Sequence, residues 1–219
     1  MSGRDATPER FEGFAPDALS FLRELREHND KTWFDANRAR YERELRGPMT
    51  ALVQELEGVF GPGKLFRQHR DVRFSKDKRP YKEWIAATVG GHVGEAARYL
   101  QLGPDALFVA AGAHQLDRER LQRFRQAVDA KTSGEALEAI VQQLRDGGYD
   151  VGGRTLSRGP RDADPDHPRI ELLKHTGVTM ARSFEAGPWL EDPDEVVARV
   201  LRVFGDAEPL VAWAREHLS

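Results

Sequence analysis

"ARYLQLGPDALFVAAG", residues 97–112, decides the fold class. Two apolar-rich runs flank Gly103-Pro104-Asp105, and those three residue types favour a tight turn. The runs are therefore predicted to pair as a β-hairpin. "WIAATVG" (84–90) reads as a further strand upstream. Before these strands the apolar spacing is helical. Leu19, Phe21, Leu22 and Leu25 follow Pro16 on one face, with Asp17 in the first turn. Asp30 is predicted to cap a second helix carrying Trp33, Phe34, Asn37, Tyr41 and Leu45. Gly47-Pro48 is expected to restart the chain as a third helix with Met49, Leu52, Val53, Leu56 and Phe60, ended by Gly61-Pro62-Gly63.

After the hairpin, Asp117 is placed as the cap of a helix carrying Leu121, Phe124 and Val128. Leu137, Ile140, Val141 and Leu144 mark another helix, stopped by Gly147-Gly148. Residues 149–168 read as a loop with at most a short strand. "RIELLKH" (169–175) and "GVTMARSF" (177–184) are expected to return to the sheet. Asp192-Pro193 opens a closing helix through Phe204, in which Leu201, Val203 and Phe204 are read as core, and "EPLVAWAREHL" extends it. The order predicts an α+β fold: N-terminal helices, a central antiparallel sheet and C-terminal helices. One domain is expected over 13–219, after a polar, mobile tail at 1–12.

Of the 219 residues, 39% are hydrophobic and 32% charged, a globular composition rather than a disordered one. The run "ALFVAAGA" (106–113) falls far short of the ~20 residues of a membrane helix. The first residues carry charge where a signal peptide would be apolar. Cysteine is absent, which removes disulfides, thiol nucleophiles and thiolate metal sites. A cytoplasmic protein with no membrane partner is the expectation.

Charge is distributed unevenly. From Lys64 to Lys82 there are eight cations and two anions, so this segment is +6 while the whole chain is −3. A positive patch on an acidic body suits a small anion better than a long duplex, whose other contacts would be repelled. Read as an extended strand, "FRQHRDVRF" (66–74) puts Phe66, Gln68, Arg70, Val72 and Phe74 on one face. Arg67, His69, Asp71 and Arg73 take the other. "SKDKRP" (75–80) then turns, since Pro80 biases Arg79 away from helix.

The chemistry of these residue types points to oxyanions. Guanidinium groups match carboxylate or phosphate two bonds at a time. Arg67, Arg70 and Arg73 are the candidate grip, and Lys78 and Lys82 add point charges. Asp71 and Asp77 orient the arginines, or one serves as a base, and Tyr81 donates or stacks. The competing reading of the same residues is an internal ion-pair network in a protein-interaction domain.

The pattern Arg67-x-x-Arg70-Asp71-x-Arg73-Phe74-x-x-Asp77-Lys78-x-x-Tyr81 resembles the signature of a bacterial family of uncharacterised proteins, a domain of unknown function. "FLRELREHNDKTWFDANRARYE" (21–42) and "DHPRIELLKH" (166–175) share the resemblance, which thus spans most of the chain. It implies a protein of about this size whose defining set is Arg67, Arg70, Asp71, Arg73, Asp77, Lys78 and Tyr81. It implies no activity and no cofactor.

Other clusters are weaker. His69 sits among cations that disfavour its protonation, yet a surface histidine is the simpler reading. "RDADPDHP" (161–168) gathers Asp162, Asp164, Asp166 and His167, an Asp-rich turn before it is a metal site. His114 follows a strand end. No Walker loop, G-x-G-x-x-G, H-E-x-x-H or G-x-S-x-G motif occurs. Trp33, Phe34 and Tyr41 are expected in the core rather than on a base-stacking platform.

Overall fold

Helix α1 (Pro16–Glu27) begins on a proline whose fixed φ suits the first turn, and buries Ala18, Phe21, Leu22 and Leu25. In this computed structural model, residues 10–73, 75–92, 95–160 and 163–219 are described. Asp30 caps α2 (Lys31–Ala36) by accepting the Trp33 N–H at 2.9 Å. Helix α3 (Arg38–Tyr41) follows.

Here the structure differs from the expected restart at Gly47-Pro48. The helix does not break. It widens through a π-turn at Glu42–Arg46, where the Gly47 N–H reaches back to the Glu42 carbonyl, and runs on as α4 (Gly47–Phe60). Pro48 has no N–H to give, and one wider turn absorbs the missing bond without ending the helix. Gly61, at φ +92, then stops it.

The strands are β1 (Gly63–Leu65), β2 (Ile85–Val89), β3 (Ala96–Leu102), β4 (Ala106–Ala113), β5 (Asp150–Gly152) and β6 (Val178–Glu185). They form an antiparallel sheet in the order β1-β2-β3-β4-β6-β5. The β3–β4 hairpin closes where expected, with the Gly103 N–H on the Ala106 carbonyl at 2.9 Å. Strand β1 pairs with β2, Lys64 opposite Thr88, and β5 pairs with β6, Val151 opposite Met180. The fold is α+β, with helices at both ends, as the order of patterns predicted.

The chain forms two compact units. The first holds the chain up to Gly90 together with Leu100–Phe108 and Ser183–Leu201. Its core is aromatic: Phe21, Phe34, Tyr41 and Tyr81 are all buried, joined by Leu45, Met49, Leu52 and Leu56. Phe11, assigned above to the tail, is 1% exposed, and its N–H donates to Glu55 Oε1 at 2.8 Å. Phe14 is tied to the Leu190 carbonyl at 2.7 Å.

The second unit holds Gly91–Tyr99, Val109–Arg182 and Arg202–Ser219. Asp117 caps α5 (Arg118–Asp129) through the Arg120 N–H at 2.8 Å. Helices α6 (Lys131–Asp146) and α9 (Glu208–Leu218) pack with α5. "RIELLKH" does not return to the sheet. Ile170–Leu173 is a single helical turn, α7, turning Leu172 and Leu173 inward. Arg169 anchors it: Nε and Nη2 donate to the carbonyls of Val128 and Asp129 at 2.6 and 2.9 Å, at the end of α5. A buried guanidinium held this way completes orphan helix carbonyls. Gly134 in α6 lies against it, where a Cβ would stand 2.4 Å from Arg169 Nε.

Helix α8 (Pro193–Asp206) buries Val203 and Phe204 as expected, but Leu201 is 36% exposed and is not core. Among the described residues no helix is long and apolar enough to cross a membrane.

Candidate functional site

The basic segment is two antiparallel arms and a tip. Phe66 N–H donates to Ala86, Lys82 N–H to Gln68 and Arg70 N–H to Pro80, at 2.9, 3.0 and 2.8 Å, and His69 bridges Tyr81. Side chains alternate as the strand reading predicted. Phe66, Gln68, Arg70 and Val72 are covered to some degree, while Arg67, His69, Asp71 and Arg73 are exposed. Phe74 lies outside the described residues. The buried Gln68 amide donates to the Lys82 and Trp84 carbonyls, which ties the arms together.

The tip is built from two copies of one motif. In Asp71-Val72-Arg73, the carboxylate accepts the Arg73 N–H at 3.2 Å and the guanidinium at 2.6 Å. In Asp77-Lys78-Arg79, it accepts the Arg79 N–H at 3.0 Å and the guanidinium at 2.7 Å. Each aspartate thus bonds its own chain two residues on, a local turn reinforced by a forked ion pair. Asp77 also takes Arg70 Nη1 at 2.6 Å. Bonds from Arg79, Arg70 and the Arg79 N–H hold the Asp77 carboxyl well below the usual carboxylate range. The Arg73 guanidinium, then its N–H, lowers Asp71 in the same direction.

Beside this tip lies a groove of about 460 Å³ lined by Arg70, Asp71, Asp77, Arg79, Lys82, Glu83 and Trp84. Of the predicted site residues it gathers Arg70, Asp71, Asp77 and Lys82. Arg67, Arg73, Lys78 and Tyr81 are not in its lining. The three arginines of the expected grip therefore do not line one wall. Arg70 stands on the opposite face from Arg67 and Arg73, as period-two alternation requires. Lys78 Nζ donates to the Val72 carbonyl at 3.0 Å. Tyr81 is core. It is 2% exposed, stacked on Phe34 at 4.0 Å and 14°, with its backbone clasped by the Asn29 amide at 3.0 and 3.1 Å. Burial raises its phenol pKa.

Sequence reading missed Arg79, Glu83 and Trp84 as lining residues. The repeated Asp-x-Arg was the signal that could have found Arg79. Glu83 takes Arg79 Nη1 and lies 3.4 Å from Arg26 Nε.

Lys82 differs from its neighbours. Its ammonium donates to the Arg67 carbonyl at 2.6 Å and sits 4.8 Å from the Trp84 ring centroid and 5.4 Å from that of Phe66. No carboxylate is within ion-pair distance of it among the described residues. Burial, and secondarily the charge of Arg67, lower its pKa.

The remaining candidates resolve simply. His167 accepts the Arg169 N–H at Nδ1, 3.0 Å, and its Nε2 faces Asp129 at 3.2 Å. Asp164 accepts the Asp166 N–H at 2.9 Å, closing a turn, and Asp162 lies outside the described residues. Among the described residues no three His, Asp or Glu side chains gather as a metal site would require. His114 is exposed just after β4, and His69 lies against the rings of Tyr81 and Phe34.

A family model described as "Conserved hypothetical protein (DUF2461)" matches residues 17–213, and the chain belongs to that family. No curated protein matches it.

Proposed function

We propose that this member of a family without an assigned activity binds a small carboxylate- or phosphate-bearing molecule, nucleotide-like in its charge, in the groove beside the basic tip. The lining balances three cations against three carboxylates, and the observation that carries this is how unevenly they are paired. Asp77 is shared between two guanidiniums, and among the described residues the Lys82 ammonium has only a carbonyl and ring faces for partners. An oxyanion laid there gains charge-assisted bonds from Lys82 and Arg70 without displacing a carboxylate from Lys82. A groove of about 460 Å³ is within the usual size for small-molecule sites.

The structural reading keeps one supporting observation. Asp71 and Asp77 are both satisfied by the chain's own arginines, so those pairs shape the loop. The two roles divide between residues: the Asp-x-Arg clasps hold the tip, and Lys82 meets the guest with Arg70, which gives only Nη1 to Asp77. A nucleic-acid surface is disfavoured by the −9 balance that the rest of the chain carries once the +6 segment is set aside.

Calorimetric titration with inorganic phosphate, nucleoside monophosphates and dicarboxylates tests this. Lys82→Met should weaken the best ligand by about 2 kcal/mol, roughly thirtyfold, as expected for losing a charged hydrogen bond. Arg73→Ala, outside the groove, should leave affinity within about threefold. Binding that ignores Lys82→Met, or no binding by any of the three classes, removes the groove as an anion site.

A further inference from the structure

Eight cations occupy the segment 64–82, and among the described residues only one is both partly covered and placed against aromatic rings without a carboxylate. Arg73 and Arg79 are forked onto aspartates, and Arg70 gives one bond to Asp77. Lys64, Arg67, Lys76 and Lys78 are exposed to water. Lys82 lines the groove with its nitrogen over the rings of Phe66 and Trp84.

We propose that Lys82 is a nucleophilic amine that forms an imine with a carbonyl compound whose carboxylate or phosphate is held by Arg70. The inference rests on the anion reading above and names its ligand class: an aldehyde or ketone bearing an oxyanion. Three features make this amine suited to the step. Among the described residues no carboxylate holds it as an ammonium ion, and its hydrogen bond goes to the Arg67 carbonyl. Burial, then the Arg67 charge, lower its pKa, so the ammonium that meets a plain anion gives up its proton more readily than a free lysine and yields the neutral form that attacks. The Arg70 guanidinium on the same lining, with one nitrogen on Asp77, matches the ligand's oxyanion and keeps the carbonyl within reach as a tethered reactant.

The step balances without a co-reactant. The neutral amine adds to the carbonyl carbon, forming the C–N bond and opening the C=O π bond to a hydroxyl. The carbinolamine loses that hydroxyl as water together with the nitrogen-bound proton, leaving C=N. No electron is gained or lost.

Pyridoxal 5′-phosphate supplies a phosphate-bearing aldehyde and glyoxylate a carboxylate-bearing one. Each is incubated with the full chain near pH 7, the adduct is reduced with borohydride, and the modified lysines are located by peptide mass spectrometry. Lys82 should be labelled about tenfold faster than Lys64, Lys76 or Lys78, as for an amine activated by its surroundings. Labelling by at least one probe should saturate with concentration, fall when inorganic phosphate is added, and vanish in Lys82→Arg. Which probe saturates distinguishes a phosphate from a carboxylate ligand. Labelling spread evenly over the exposed lysines overturns the proposal. If phosphate still binds calorimetrically in that case, the groove reading survives and only the imine is lost. If phosphate neither binds nor protects, both fall.

Discussion

Replacing Phe34 should loosen the basic loop from beneath, although Phe34 is not among the groove-lining residues. Phe34 is 1% exposed and makes ring contacts with Phe21, Tyr41, His69 and Tyr81. The tightest is the near-parallel stack on Tyr81, the residue that begins the returning arm. Phe34→Ala removes a buried ring and leaves a cavity, at a cost of about 3–5 kcal/mol. Phe34→Leu keeps most of the apolar volume and loses the ring pairing, at about 1–2 kcal/mol. Urea unfolding of wild type, Phe34→Leu, Tyr81→Leu and the double variant closes a cycle whose coupling should be about 0.5–1.5 kcal/mol. Hydrogen exchange at Arg70 and Lys82, whose N–H groups bond to Pro80 and Gln68 across the arms, should accelerate in Phe34→Leu. A coupling near zero with unchanged exchange would refute the idea that this stack holds the arms together.

Acid should destabilise the fold through its arginine-held carboxylates. Asp17 and Glu24, both bonded to Arg40, and Asp71 and Asp77 have folded pKa values below their free values. The unfolded chain therefore binds more protons, and stability present above about pH 4 is lost as pH falls. Arg40→Gln should make that loss shallower in thermal melts taken between neutral pH and pH 3. His175 adds a second window: burial, then Arg145, lowers its pKa, and its Nδ1 is buried without a hydrogen-bond partner. Stability should be full above about pH 6.5 and decline below it as the unfolded chain takes the proton first. His175→Gln should flatten that slope. Gly112→Ala should cost about 3 kcal/mol or prevent folding, because φ is +126 and the new Cβ would lie 2.3 Å from the Val178 carbonyl oxygen. Gly58→Ala, in open space on α4, should instead stabilise by about 0.5–1 kcal/mol in the same denaturation assay.

What could be read in advance was local. Asp30 and Asp117 announce helix starts because a carboxylate two or three residues before an N–H is a short-range geometry. Gly103-Pro104-Asp105 does the same for the hairpin. What failed depended on distant partners. "RIELLKH" offers apolar residues at spacings that suit either element, and a single helical turn has no period to detect. It is helical because Arg169 meets carbonyls some forty positions earlier. The π-turn at Glu42–Arg46 and the three-residue β1 left no sequence pattern of their own. In the basic segment, alternation was legible and convergence was not. Arg67, Arg70 and Arg73 share a charge but not a direction, and Tyr81 belongs to the aromatic core because Phe34 faces it.

The glycine at 134 explains how one corner of the molecule came to be cut as it is. A sixteen-residue helix would ordinarily gain about 1 kcal/mol from alanine at such a position. Here a methyl group would fill the keyway through which the Arg169 guanidinium reaches the end of α5. The bare backbone is thus the negative imprint of another residue's side chain, and enlarging it would unlatch the turn at 170–173 from a helix it never touches in sequence.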